Sequence, residues 1–137
     1  MWWIYALLSA FFAALTAIFA KIGIKNVASD LATAIRTVVV LALAWTIALY
    51  KGSTTGLSTL SPTNWIFLLL SGGATGLSWI FYFKALQLGK VSQVAPVDKA
   101  SMAIAIILSV IFLGEPLTLK MALGAGLIIL GTLVLIF

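Results

Sequence analysis

Five apolar stretches, each long enough to cross a bilayer and parted by short polar breaks, leave this chain few folds to choose from. Crossing ~30 Å of hydrocarbon takes ~20 residues of helix at ~1.5 Å per residue. Residues 2–20, 31–50, 62–87, 91–113 and 117–137 each meet that length. In hydrocarbon every backbone N–H and C=O must be bonded within the segment or a closed barrel, and runs this long and apolar read as helices. The predicted fold class is an all-α integral membrane protein with five transmembrane helices. One transmembrane domain fills residues 1–137, with no internal repeat and no room for a soluble domain.

Composition agrees. The chain is 64% hydrophobic and 8% charged, against ~45–50% and ~25% in ordinary soluble domains. It has no Cys and no His, which removes disulfides, thiol chemistry and the commonest metal ligands. No metal and no cofactor are expected. Nor is an enzyme, because no nucleophile–base or metal constellation is present. The net charge of +5 comes from basic residues scattered singly at helix ends, the pattern of membrane flanks rather than of a nucleic-acid surface. The N-terminus lacks the basic start and small-residue cleavage site of a signal peptide, so it reads as a mature span.

Punctuation follows from residue chemistry. Asp30 is placed as the N-cap of the second span, and Ser61-Pro62 as cap and first-turn proline of the third. Residues 51–63 form a polar linker, Leu88-Gly89-Lys90 a tight turn, and Gly114-Glu115-Pro116 the turn into the last span, with Glu115 as its cap. Lys21, Lys25, Arg36, Lys84 and Lys90 lie on one side, against Lys51 and Lys120 on the other. Positive charge collects on the cytoplasmic side, which predicts an outside N-terminus and an inside C-terminus in the cytoplasmic (inner) membrane. Trp2, Trp3, Tyr5, Tyr50 and Trp65 then form an outer aromatic belt.

Helices in lipid approach closely only through small residues. Such residues occur at Ser9, Ala13 and Ala17, at Gly72 and Gly76, and at Ala122, Gly124 and Gly126. Helix packing is the plain reading of all three sets. The run Ser71-Gly72-Gly73-Ala74-Thr75-Gly76 also suggests a flexible or partly unwound centre in the third span, as in interrupted transporter helices.

Ionisable groups inside spans are costly and need an explanation, roughly 2.5–3.5 kcal/mol each on insertion scales. Asp98 and Lys99 lie ~10–12 Å into the fourth span. Lys99 has the reach to snorkel toward the interface; Asp98 does not, and its expected partners are Arg36 or Lys84. Either an ion pair locks the helices, or Asp98 lines a cavity as substrate contact or proton acceptor. Arg36 offers a planar fork suited to a carboxylate or phosphate, with headgroup anchoring as the alternative. Trp79, with Tyr82, is too deep for the interface and either lines a cavity or packs in the core. Pro96 removes one helical bond and frees a carbonyl near Ser92.

These residues carry a resemblance. Tyr82-Phe83-Lys84-Ala85-Leu86, Val94-Ala95-Pro96-Val97, Leu113-Gly114-Glu115, Gly124 and Leu127-Ile128-Ile129-Leu130-Gly131, with Arg36, together resemble one EamA-type half of the drug/metabolite transporter superfamily. The likeness implies one half of an inverted-repeat fold and export or exchange of small metabolites or drugs by alternating access, around a site among the first four helices. This chain differs from most of that family in having a single half, and in the charged Asp98-Lys99, which leaves the substrate class open. One half cannot supply a repeat interface, so the resemblance implies a homodimer, parallel or antiparallel, or pairing with another half-length chain, in contact with membrane lipid and a small-molecule substrate. A non-transporting membrane subunit and a lipid-carrier flippase are the competing readings. A small multidrug-type exchanger fits less well, because the first helix has no membrane-embedded carboxylate.

Overall fold

The computed structural model describes all residues from Met1 to Phe137. Its regular structure is all helix, with no strand: α1 (Trp2–Gly23), α2 (Ser29–Tyr50), a short 3₁₀ helix (Ser53–Thr59), α3 (Pro62–Leu88), α4 (Val91–Lys99), α5 (Ser101–Leu113) and α6 (Leu119–Ile136). Five segments are long and apolar enough to span a membrane: α1, α2, α3, the α4–α5 pair and α6. The all-α transmembrane class read from the sequence is what is found.

Helix ends follow local chemistry, with two departures from expectation. At α3, Ser61 Oγ accepts the Asn64 amide (3.2 Å) and donates to Asn64 Oδ1 (3.0 Å), ahead of Pro62 in the first turn. α2, however, begins at Ser29, so Asp30 is inside its first turn, its carboxylate accepting the Leu31 amide at 2.8 Å. The last span starts later than expected. Its cap is Thr118, whose hydroxyl accepts the Met121 amide at 3.2 Å, while Glu115 lies in the non-helical approach. Gly114 closes α5 in the left-handed region (φ 66°), and the Glu115 amide reaches back to the Ser109 carbonyl at 3.3 Å. Only a residue without Cβ takes that geometry cheaply.

The interruption expected in the third span is in the fourth instead. α3 runs unbroken through 71–76, and Thr75 returns its hydroxyl to the Ser71 carbonyl at 2.8 Å. Most of that segment is exposed, and within a span unwound backbone is not tolerated unless other protein or water meets its polar groups. The fourth span breaks at Ala100. Its amide bonds to the Val97 carbonyl (3.0 Å) in the tighter three-residue pattern rather than four residues back to Pro96, and Ala103 does the same to Ala100 (3.0 Å). Pro96 lies one turn before this break; lacking an N–H, it takes the helical bond away from the Ser92 carbonyl in the turn ahead of it. Its own carbonyl is then met by the buried Thr132 of α6, whose hydroxyl is shared between Pro96 O (3.4 Å) and Ile128 O (2.8 Å).

The chain divides into two compact units, Phe19–Gln87 and Met1–Ile18 with Leu88–Phe137. In the first, buried Ile24, Thr33, Phe83 and Leu86 all lie at the end where α1 finishes, α2 begins and α3 finishes. Side-chain-to-backbone bonds tie that end: Lys21 Nζ donates to the Leu86 carbonyl, and Gln87 Nε2 to the carbonyls of Val27 and Ile24. In the second, α6 packs against both α4 and α5, around buried Ala103 and Thr132. Most other apolar side chains are exposed, and a methyl added at Gly72, Gly76, Gly124 or Gly126 meets no atom within 4 Å.

Candidate functional site

The Phe19–Gln87 unit builds its site on two helices. The third-helix pair Trp79 and Phe83 is one turn apart, so both rings lie on the same face. Arg36, about seven residues into α2, lays its guanidinium over the Trp79 ring, with Cζ 3.7 Å from the centroid, and 5.5 Å from that of Phe83. Trp79 stands about nine residues before the end of α3, ~13 Å into the span. The guanidinium is therefore held at the depth of the aromatic pair and not extended toward the headgroups.

Stacking of this kind contributes ~0.5–1 kcal/mol when exposed and ~2 or more when desolvated. That offsets part of the ~2.5–3.5 kcal/mol cost of an arginine at the centre of a span. It does nothing for the five N–H donors at the rim of the guanidinium. None of them has a hydrogen-bond or ion-pair partner, although none is sealed from its surroundings. A cation fixed by its faces and open at its edges is arranged to take an anion edge-on, the bidentate geometry that carboxylates and phosphates accept.

Tyr82 is half-buried, its ring 6.3 Å from that of Phe83. Lys84, on the next residue but one, is exposed. Phe83 enters the sequence reading only through the resemblance, although its spacing of four from Trp79 marks it as the second half of the arginine platform.

In the other unit, Asp98 and Lys99 pair with each other, carboxylate to ammonium, at 3.3 Å. Arg36 and Lys84, the partners expected from sequence, belong to the Phe19–Gln87 unit; within its own unit Asp98 pairs with the adjacent lysine. Both residues lie in the last turn of α4, and the long, flexible lysine side chain reaches back to its neighbour's carboxylate. The lysine side chain is 48% exposed and the aspartate 33%, so the carboxylate keeps an open side. Thr132 is the polar residue the sequence reading passes over. Its signal is a lone hydroxyl in the otherwise apolar run from Leu127 to Leu135, in a helix that packs on the proline-bearing one.

Comparison with known proteins gives a consistent result. The family model described as the EamA-like transporter family matches residues 1–137. A Sinorhizobium protein named as an uncharacterized transporter in the cobO 3′ region is 49% identical over 134 residues, covering 98% of this chain and 95% of the relative. That relative is thus also about the length of a single five-span half. No solved structure matches.

Proposed function

Because the chain belongs to the EamA-like transporter family, we propose that it is a half-length secondary transporter that moves small metabolites or drugs by alternating access. It works as a dimer in the cytoplasmic membrane, with its N-terminus outside. The observation that carries the reading is Arg36, stacked on Trp79 inside a span with its donor edge open. A purely structural arginine would be expected to have a carboxylate or carbonyl at that edge. In a transporter the missing acceptor is the substrate, so Arg36 is assigned as the contact for an anionic group, with Trp79 and Tyr82 as apolar wall. Asp98, paired with a half-exposed lysine, is assigned to proton coupling, Lys99 modulating its charge and Lys84 the approach of an anion.

Dimerisation supplies the second half that an inverted-repeat site requires. The open glycine faces of α3 and α6 are surfaces on which a second copy packs closely. The half-length relative fits this organisation.

The test is flux in proteoliposomes. With a proton gradient imposed, purified protein should move small amphiphilic anions such as aromatic carboxylates, and Asp98→Asn should remove the gradient dependence. Absence of proton-dependent flux for every small amphiphile tried would leave the accessory-subunit reading in its place.

A further inference from the structure

A second site lies at the tied end of the Phe19–Gln87 unit, separate from Arg36 and independent of the transport reading. A cavity of about 760 Å³ opens there. Its polar lining is Lys21, Lys25, Asn26 and Gln87, its apolar lining includes Ile22 and Val27, and it holds no acidic residue. The turn that forms it bends sharply because Asn26 adopts the left-handed region (φ 62°), a conformation Asn accepts more readily than most residues. Gln87 and Lys21 then fasten α3 to the turn through backbone carbonyls. The cavity is thus built by bonds between elements and is more than a gap between them.

Three features define what fits. The lining residues 21–28 join the end of α1 to the start of α2, so the cavity sits where hydrocarbon gives way to water. Two lysines with no carboxylate among them select an anion. The Lys21 ammonium is bonded to the Leu86 carbonyl and so is fixed in the wall, while Lys25 is exposed with its ammonium available. The volume lies in the ~300–1,000 Å³ range of organic-ligand sites and is roomier than a bare phosphate requires, and the apolar lining would be wasted on one. We propose that this cavity binds an anionic phospholipid, its phosphate at Lys25 and Lys21 and its glycerol and first acyl carbons along Ile22 and Val27. Basic pockets between transmembrane helices at the membrane boundary are suited to such headgroups.

The experiment uses the purified full chain in detergent. Retention of phosphatidylglycerol and of phosphatidylcholine is read by native mass spectrometry, and stability by thermal unfolding with each lipid added. Phosphatidylglycerol should be retained in preference and should raise the unfolding temperature. Lys25→Gln should lower that retention about fivefold, the worth of one boundary lysine. Lys25→Arg and Lys120→Gln, the latter at the opposite end of the spans, should leave it unchanged. Equal retention of both lipids, or equal loss in Lys120→Gln, overturns the proposal. So does stabilisation by inorganic phosphate alone to the same extent, which would make the ligand a soluble anion. Retention unchanged in Lys25→Gln sinks it even if flux is altered.

Discussion

At the scale of single residues the informative contrast is between two charged groups in spans. Arg36 is held by its faces on Trp79 and left open at its edge, whereas Asp98 has its charge met by its neighbour. Lysine keeps the charge of arginine but neither the planar face nor the fork. Arg36→Lys should therefore weaken substrate binding by about 1–2 kcal/mol, roughly 5- to 30-fold in KM, with kcat little changed. Trp79→Leu should act in the same direction through the lost platform. Concentration-dependent flux in proteoliposomes checks both, and an Arg36→Lys protein with unaltered KM would remove Arg36 from the site. Arg36, Trp79 and Asp98 each stand out in the sequence, because charge and aromatic bulk at depth are local facts. The stacking of Arg36 on Trp79 does not, since it joins side chains from different helices across the linker.

At the scale of elements, the five spans were legible because length and hydropathy are properties of each segment alone. The position of the interruption was not. The small-residue run in α3 has weak helical propensity, yet the need to bond every backbone polar group inside a span holds the backbone in helix. In the fourth span the break at Ala100 turns that amide away from the Pro96 carbonyl, and a hydroxyl from α6 meets the carbonyl, a contact no local pattern reveals. Thr132→Val should thus destabilise the folded protein by about 0.6–1.7 kcal/mol, the usual range for polar contacts between membrane helices, while Thr132→Ser should not. Unfolding in mixed micelles measures this, and a valine variant as stable as the parent would show that the carbonyl needs no partner.

At the scale of the molecule, most apolar side chains are exposed and the glycine faces of α3 and α6 stand open. Lipid covers part of that surface, and the proposed second copy covers the glycine faces. A single cysteine at Gly72 in this Cys-free chain should crosslink two copies in the membrane, and Gly76→Leu should reduce the yield. Recovery of monomer alone at every protein density would refute a homodimer joined through α3. Cysteines at Ser53 and Lys90 then report orientation. Labelling of each from one side only, in all molecules, would exclude the antiparallel pairing.

The ties at one end of the Phe19–Gln87 unit have a mechanical meaning. Lys21 and Gln87 fasten the end of α3 to the end of α1 and to the turn that leads into α2, beside the buried Thr33 and Phe83. The linker of residues 51–61 joins the far ends of α2 and α3, so the two helices form a hairpin held at both ends, at one by these bonds and at the other by the chain itself. Arg36 and Trp79 sit close to the bonded end, where little relative movement of the helices is left. The grip on a bound anion would then stay constant while other parts of the protein rearrange.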